Sequence, residues 1–134
     1  MPVKEIGDYA FAEFGWDDDA ELSFSEITKV IIPYGIEIIG KWAFYIDVYF
    51  VNGGITIPNS VHTLKEGAFW AAQCDYIYIP KSVTTAIALF GDGFGAELKK
   101  VYCEYFENEL PNTWHPLWNA ENVPVVWGAT RDVL

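Results

Sequence analysis

Three short stretches of the chain put an apolar residue at every second position and then stop at a proline: Val30 and Ile32 before Pro33, Ile55 and Ile57 before Pro58, Ile77 and Ile79 before Pro80. A period of two predicts a strand with one buried face. Proline ends such a strand because it has no N–H to give the ladder. Each proline leads into a turn, at Tyr34-Gly35, Asn59-Ser60 and Lys81-Ser82, built from residue types that favour turns. Beyond the turn the pattern predicts a second short extended or irregular stretch, whose Ile36 and Ile39, or Val61 and Leu64, return to the same interior.

These stretches belong to one repeat. The segment from Val30 to Phe44 and the segment from Ile55 to Phe69, 25 residues on, share I-P-x-x-(V/I)-x-x-(I/L)-x-x-x-A-F without a gap. A third copy starts 22 residues later at Ile77; it keeps Ile79, Pro80 and Val83 but loses the Ala-Phe pair at its proper offset. The first eleven residues supply the back half of another copy, with Val3, Ile6, Gly7, Ala10 and Phe11 standing where Val61, Leu64, Lys65, Ala68 and Phe69 stand. A unit this small has too little core alone and must bury its apolar side on its neighbour. The predicted fold is therefore a repeat solenoid, with short parallel β-strands in each coil, irregular or short helical connections and little regular helix. Alanine before the phenylalanine permits close approach of coils, and Phe11, Phe44 and Phe69 are expected to stack as a buried aromatic column.

The unit resembles the BspA-type leucine-rich repeats of bacterial surface proteins, I-P-x-x-V-x-x-I-G-x-x-A-F followed by a Cys-containing turn. Ile39-Gly40 and Ala43-Phe44 match it, and Cys74 falls at the family's cysteine position after Ala68-Phe69. Val101-Tyr102-Cys103-Glu104, Pro111, Trp114, Trp118-Asn119 and Val125-Val126-Trp127-Gly128 look like the family's terminal cap. The resemblance covers nearly the whole chain and implies a leucine-rich-repeat solenoid in a surface or secreted adhesion protein. It departs from the family at 12–26, longer than a usual link, and at 90–95, which replaces the usual turn. The expected organisation is one domain, 1–134: a half-repeat at 1–11, an acidic insertion at 12–26, repeats over 27–100 and a C-terminal cap repeat at 101–134.

Composition narrows the function. At 134 residues, 51% of them hydrophobic and 17% aromatic, the chain has the material for one packed core and is not disordered. A net charge of −11 repels phosphate backbones and anionic membranes, so no direct nucleic-acid ligand is expected, and it attracts basic patches on a protein. No segment approaches the roughly 20 apolar residues of a membrane span, and the N-terminus lacks the basic start and apolar run of an export signal. The resemblance implies a cell-surface or secreted location; a chain complete as given is expected in the cytoplasm. Cys74 and Cys103, far apart in sequence, read as reduced core residues.

No catalytic constellation emerges, and no cofactor or metal is expected. The only histidines, His62 and His115, lie beside an inward Val61 and within the tryptophan-rich cap, with no partner placed for a triad. Asp17, Asp18, Asp19 and Glu21 offer oxygens to calcium, but the EF-hand pattern fails: the sixth residue from Asp17 is Leu22, not glycine, and the twelfth is Thr28. A solvated acidic loop is the reading. Gly91-Asp92-Gly93-Phe94-Gly95 lacks the Lys-Ser/Thr and the helix of a phosphate loop and reads as a connector. Trp114, Trp118 and Trp127 read as the cover over the last layer.

Two candidate faces remain. If the pre-proline isoleucines face in, Ile31, Thr56, Tyr78 and Tyr102 face out in a row flanked by Lys29, Gly54, Tyr76 and Lys100. Tyr76, Tyr78 and Tyr102 are then either interface anchors or cross-strand packing with no partner, and both readings stand. The second face is the insertion carrying Trp16 beside Asp17, Asp18 and Asp19, either an anchor for a basic protein or a cover for the solenoid end. The functional expectation is a non-catalytic protein-binding module of adhesion or surface-recognition type, its partner unidentified. The alternative is an acidic intracellular inhibitor or adaptor docking on a basic protein site. The exposed N-terminal half-repeat also offers a surface for end-to-end assembly.

Overall fold

The computed structural model describes residues 3–10, 29–44, 53–69, 74–90, 98–119 and 122–134. In chain order its strands are β1 (Glu5–Ile6), β2 (Ile38–Ile39), β3 (Gly54–Thr56), β4 (Thr63–Leu64), β5 (Tyr76–Ile79), β6 (Thr85–Ala86), β7 (Val101–Cys103) and β8 (Val125–Trp127). They form two four-stranded sheets, β1-β2-β4-β6 and β3-β5-β7-β8, and every pairing is parallel. The second sheet collects β3 and β5, which precede a proline, with β7 and β8 at the same place of the repeat, and the first collects the strands that follow a proline. Among the described residues the only helical segments are two 3-10 turns, Glu107–Glu109 and Arg131–Val133.

Register carries the repeat into three dimensions. Ile6 pairs with Ile39, Ile39 with Leu64 and Leu64 with Ala86; Ile55 pairs with Ile77, Ile77 with Val101 and Val101 with Val125. The corners recur too. After each proline the same turn closes, with Ile36 N–H donating to Pro33 O, Val61 to Pro58 O and Val83 to Pro80 O. Before each Ala-Phe a second turn closes from Ala10 to Gly7, Ala43 to Gly40 and Ala68 to Lys65. Its third residue is left-handed every time: Tyr9 at φ 60°, Trp42 at 57° and Gly67 at 66°. Glycine suits the last of these doubly, because the Trp42 ring lies where a Cβ at position 67 would project.

The inward residues fill one core: Ile39, Leu64, Ile57, Ile77, Ile79, Val83 and Val101 are all fully buried. Phe44 and Phe69 stack with centroids 5.6 Å apart and planes 3° from parallel; Phe11, expected in the same column, lies outside the described residues. The third repeat keeps this layer by a substitution. Phe69 N–H donates to Leu89 O just as Phe44 N–H donates to Ala68 O, so Leu89-Phe90 fills the Ala-Phe place one residue early, and both are buried. Trp118 then meets Phe90 edge-on at 6.4 Å, Trp114 at 5.0 Å and Trp127 at 6.1 Å. Trp114 itself bridges Ala86 and donates its indole N–H to Val83 O at 3.0 Å. These rings cover the C-terminal edge of the core.

Serine at the post-proline turn staples one repeat to the one before it. Ser60 Oγ accepts from Gly35 N–H at 2.9 Å and donates to Ile36 O at 2.7 Å. Ser82 stands at the same place in the next repeat, yet its buried hydroxyl finds no hydrogen-bond partner among the described residues. Ser60→Ala should therefore cost about 1 kcal/mol in urea unfolding, while Ser82→Ala, which removes an unsatisfied polar atom, should be neutral or stabilising by up to about 1 kcal/mol.

Both cysteines are buried and unpaired. Burial pushes the Cys74 thiol from an ordinary 9.0 up to about 12, helped by the neighbouring Asp75 charge, and Cys103 up to about 11. A raised thiol pKa means the neutral form is favoured in the folded state. Its stabilisation is complete below about pH 9 and is lost as the pH rises towards the folded values. At pH 8 a thiol reagent should label neither cysteine in the native chain and both in denaturant, with native labelling rising only above about pH 10.

Candidate binding face

The pre-proline sheet presents its outward residues in register. Thr56, Tyr78, Tyr102 and Val126 form one row across β3, β5, β7 and β8. Gly54 and Tyr76 begin a second row, continued by Lys100 immediately before β7. Ile31 lies ahead of this sheet and is 73% exposed, and Val126 at the far strand is 42% exposed. Tyr76 and Tyr102 are half-buried against each other, ring centroids 5.3 Å apart. Tyr76 leans over Gly54, whose missing Cβ makes room for the ring. Thus Ile31, Thr56, Tyr76 and Tyr102 come together on one face.

Tyr78 does not join them as an exposed anchor, and here the sequence-based expectation needs correcting. It points outward but has no accessible surface, because Arg131 lies over its ring at 5.0 Å and Tyr102 packs beside it at 6.4 Å. Its hydroxyl donates to the Glu104 carboxylate. Burial, followed by the hydrogen bond and charge of Glu104, pushes that hydroxyl well above the usual tyrosine range. For Tyr78 the cross-strand packing reading describes what is seen.

Arg131 is the functional surprise. Its Nη2 donates to Asn59 Oδ1 at 2.6 Å and to Ile57 O at 3.4 Å, and its Nε lies 4.0 Å from the Glu104 carboxylate. The Ile57 carbonyl is open because the residue that would donate to it in the parallel ladder is Pro80, which has no N–H. One repeat later the same place is held by Glu104, whose backbone N–H does donate, to Ile79 O, while its side chain accepts from Lys81 N–H at 2.8 Å. Two sequence signals pointed here: Glu104 interrupts the run of prolines at its repeat position, and Arg131 is the only arginine in the chain.

Between Lys29–Ile32 and β3 the face opens into a groove of about 420 Å³, floored by Gly54, Thr56 and Pro58 and bounded by Tyr76 and Arg131. The first pre-proline stretch keeps its predicted alternation, with Ile32 buried and Ile31 out. It does not, however, form the expected strand. Among the described residues no backbone hydrogen bond joins it to β3; its apolar side chains hold it in place while its backbone stands off. Since Gly53 O and Ile57 N–H are engaged with β5, the alternate residues Gly54 and Thr56 turn their main-chain groups towards the groove.

The other candidates separate out. Trp16, Asp17, Asp18, Asp19 and Gly91–Gly95 lie outside the described residues. His62 is exposed, with Nδ1 at 2.8 Å from Thr63 Oγ1 and Nε2 at 3.8 Å from Glu37; His115 Nδ1 accepts from Leu117 N–H at 3.0 Å. Among the described residues no group of three His, Cys, Asp or Glu side chains is placed to hold a metal ion, and no helix is long and apolar enough to cross a membrane.

Residues 19–88 match the family model described as BspA type leucine rich repeat region (6 copies). No curated protein and no solved structure matches the chain.

Arg131→Ala strips the Ile57 carbonyl, Asn59 and Glu104 of their shared donor and uncovers Tyr78. It should cost about 1–3 kcal/mol in chemical denaturation, and the Tyr78 ring should become accessible to nitration at the carbon beside its hydroxyl-bearing one.

Proposed function

The chain belongs to the BspA-type leucine-rich-repeat family, and from that premise we propose that it is a non-catalytic module that binds another protein, in surface recognition or adhesion. Its repeats stack as a solenoid, and the pre-proline sheet is its recognition face. The observation that carries the reading is the set of accessible apolar and aromatic side chains, Ile31, Tyr76, Tyr102 and Val126, gathered on one face beside an open groove. Rigid aromatics bury large area at little entropic cost and dominate interface energetics. The sheet holds them on a well-packed base, so ordering them on binding costs little.

The test is capture from a cell-surface extract and from a cytosolic lysate, with the intact chain compared with a Tyr76→Ser/Tyr102→Ser variant. A surface protein should be retained by the intact chain, and its affinity should fall by about 30-fold or more in the variant, the loss of about 2 kcal/mol that marks an interface anchor. Capture of a basic cytosolic protein that survives the tyrosine changes and is released by moderate salt would overturn this reading in favour of an acidic inhibitor.

A further inference from the structure

The chain has 19 acidic residues against 8 Lys and Arg, yet among the described residues no carboxylate lines the groove on this face, and the two charged residues among them that line it, Lys29 and Arg131, are both cations. Lys29 is exposed and pairs with no acid among the described residues. Lys100, beside Tyr76 in the second row, has its Nζ 5.3 Å from the Tyr102 ring and likewise pairs with no acid among them. Two acids beside the face are engaged: Asp75 holds Lys99 at 3.1 Å, and Glu104 takes Tyr78, Lys81 N–H and Arg131. In a molecule of net charge −11 this face is locally cationic and apolar.

We infer that the groove and the rows beside it receive an extended acidic segment of the partner protein, its carboxylates meeting Lys29 and Lys100 and its apolar side chains meeting Ile31, Tyr76 and Tyr102. The inference rests on the pre-proline sheet being the recognition face. A basic segment drawn in by the overall charge meets uncompensated ammonium groups here, and like charges at close quarters suppress the wrong partner. An acidic segment meets two lysines, and the unpaired main-chain groups of Gly54 and Thr56 offer it hydrogen bonds.

Geometry also sets a spacing. Gly54, Tyr76 and Lys100 hold the same place in three paired repeats, which puts Lys100 two strand spacings from Gly54, on the order of 10 Å. Lys29 lies beyond Gly54 across the groove, so the two lysines are more than about 14 Å apart. An extended chain advances about 3.4 Å per residue and alternates its side chains. Two acids about four to six residues apart therefore reach both lysines from one side of the ligand.

Panning a phage library of random peptides about twelve residues long against the intact chain, at about 150 mM salt, tests this directly. The expected enrichment is for two acids about four to six residues apart with an apolar or aromatic residue between them. Synthetic peptides carrying the enriched sequence should bind about tenfold or more weakly to a Lys29→Glu/Lys100→Glu variant, and normally to Lys29→Arg/Lys100→Arg and to Lys41→Glu, which lies off this face. All these positions except half-buried Lys100 are exposed, and circular dichroism checks each variant's fold. Enrichment of basic or neutral peptides that depend on Tyr76 and Tyr102 overturns the acidic ligand but leaves the recognition face standing. Acidic peptides indifferent to the lysine reversal overturn the site. Absence of any peptide that depends on the tyrosines counts against the face itself.

Discussion

Parallel pairing between the same positions of successive repeats is the constraint on which the rest of the molecule depends. Each strand is only two to four residues long, far too short to be stable alone. It persists because neighbouring repeats pair their strands in register and share a hydrophobic layer. Identical positions must then meet identical positions: Ile55 over Ile77, Phe44 over Phe69, one post-proline turn over the next. A residue that packs well in one repeat is repeated in the next, and a residue that breaks the pattern transmits its misfit to both neighbours. Leu89-Phe90 shows how much variation this permits, since moving the aromatic forward by one residue is absorbed at the corner while the layer stays filled.

The same constraint creates its own defect. Proline is a good strand terminator in a parallel stack, but at Pro80 it leaves the Ile57 carbonyl of the preceding repeat without its ladder donor. Satisfying that carbonyl takes an arginine brought from 74 positions away. The guanidinium is suited to this because it offers several donors in one plane and a face that stacks on an aromatic ring. It serves a backbone oxygen, a side-chain amide, a carboxylate and the Tyr78 ring together. Tyr78 becomes buried as a by-product, which is why the face has two accessible tyrosines and not three.

What could be read from the sequence divides along the same line. The two strands per repeat, the inward alternation, the equivalence of Ile6 with Ile39 and Leu64, and the tryptophan cover all follow from local pattern, because a repeat writes its tertiary contacts into its own period. The Arg131 contact carries no period; it joins residues 131 and 57, related by no common motif, and only the singularity of the arginine and the carboxylate in a proline place hinted at it. The groove was equally hidden. Its cause is that the Lys29–Ile32 backbone stands off β3, and residues matching a strand pattern give no warning that their ladder is unmade.

Net charge alone does not decide which partner a face takes. A total of −11 suggests a basic partner everywhere, but long-range charge is screened within about 8 Å at physiological salt, so contact chemistry is decided by the residues actually on the face. There two carboxylates are engaged within the fold: Glu104 secures a turn and a tyrosine, and Asp75 holds a lysine. Among the described residues the face also carries Lys29, Lys100 and aromatic or aliphatic surface. An overall field and a local face of opposite sign are compatible: the field is screened within about 8 Å, and on the proposed reading the two ammonium groups meet a partner's carboxylates at contact distance.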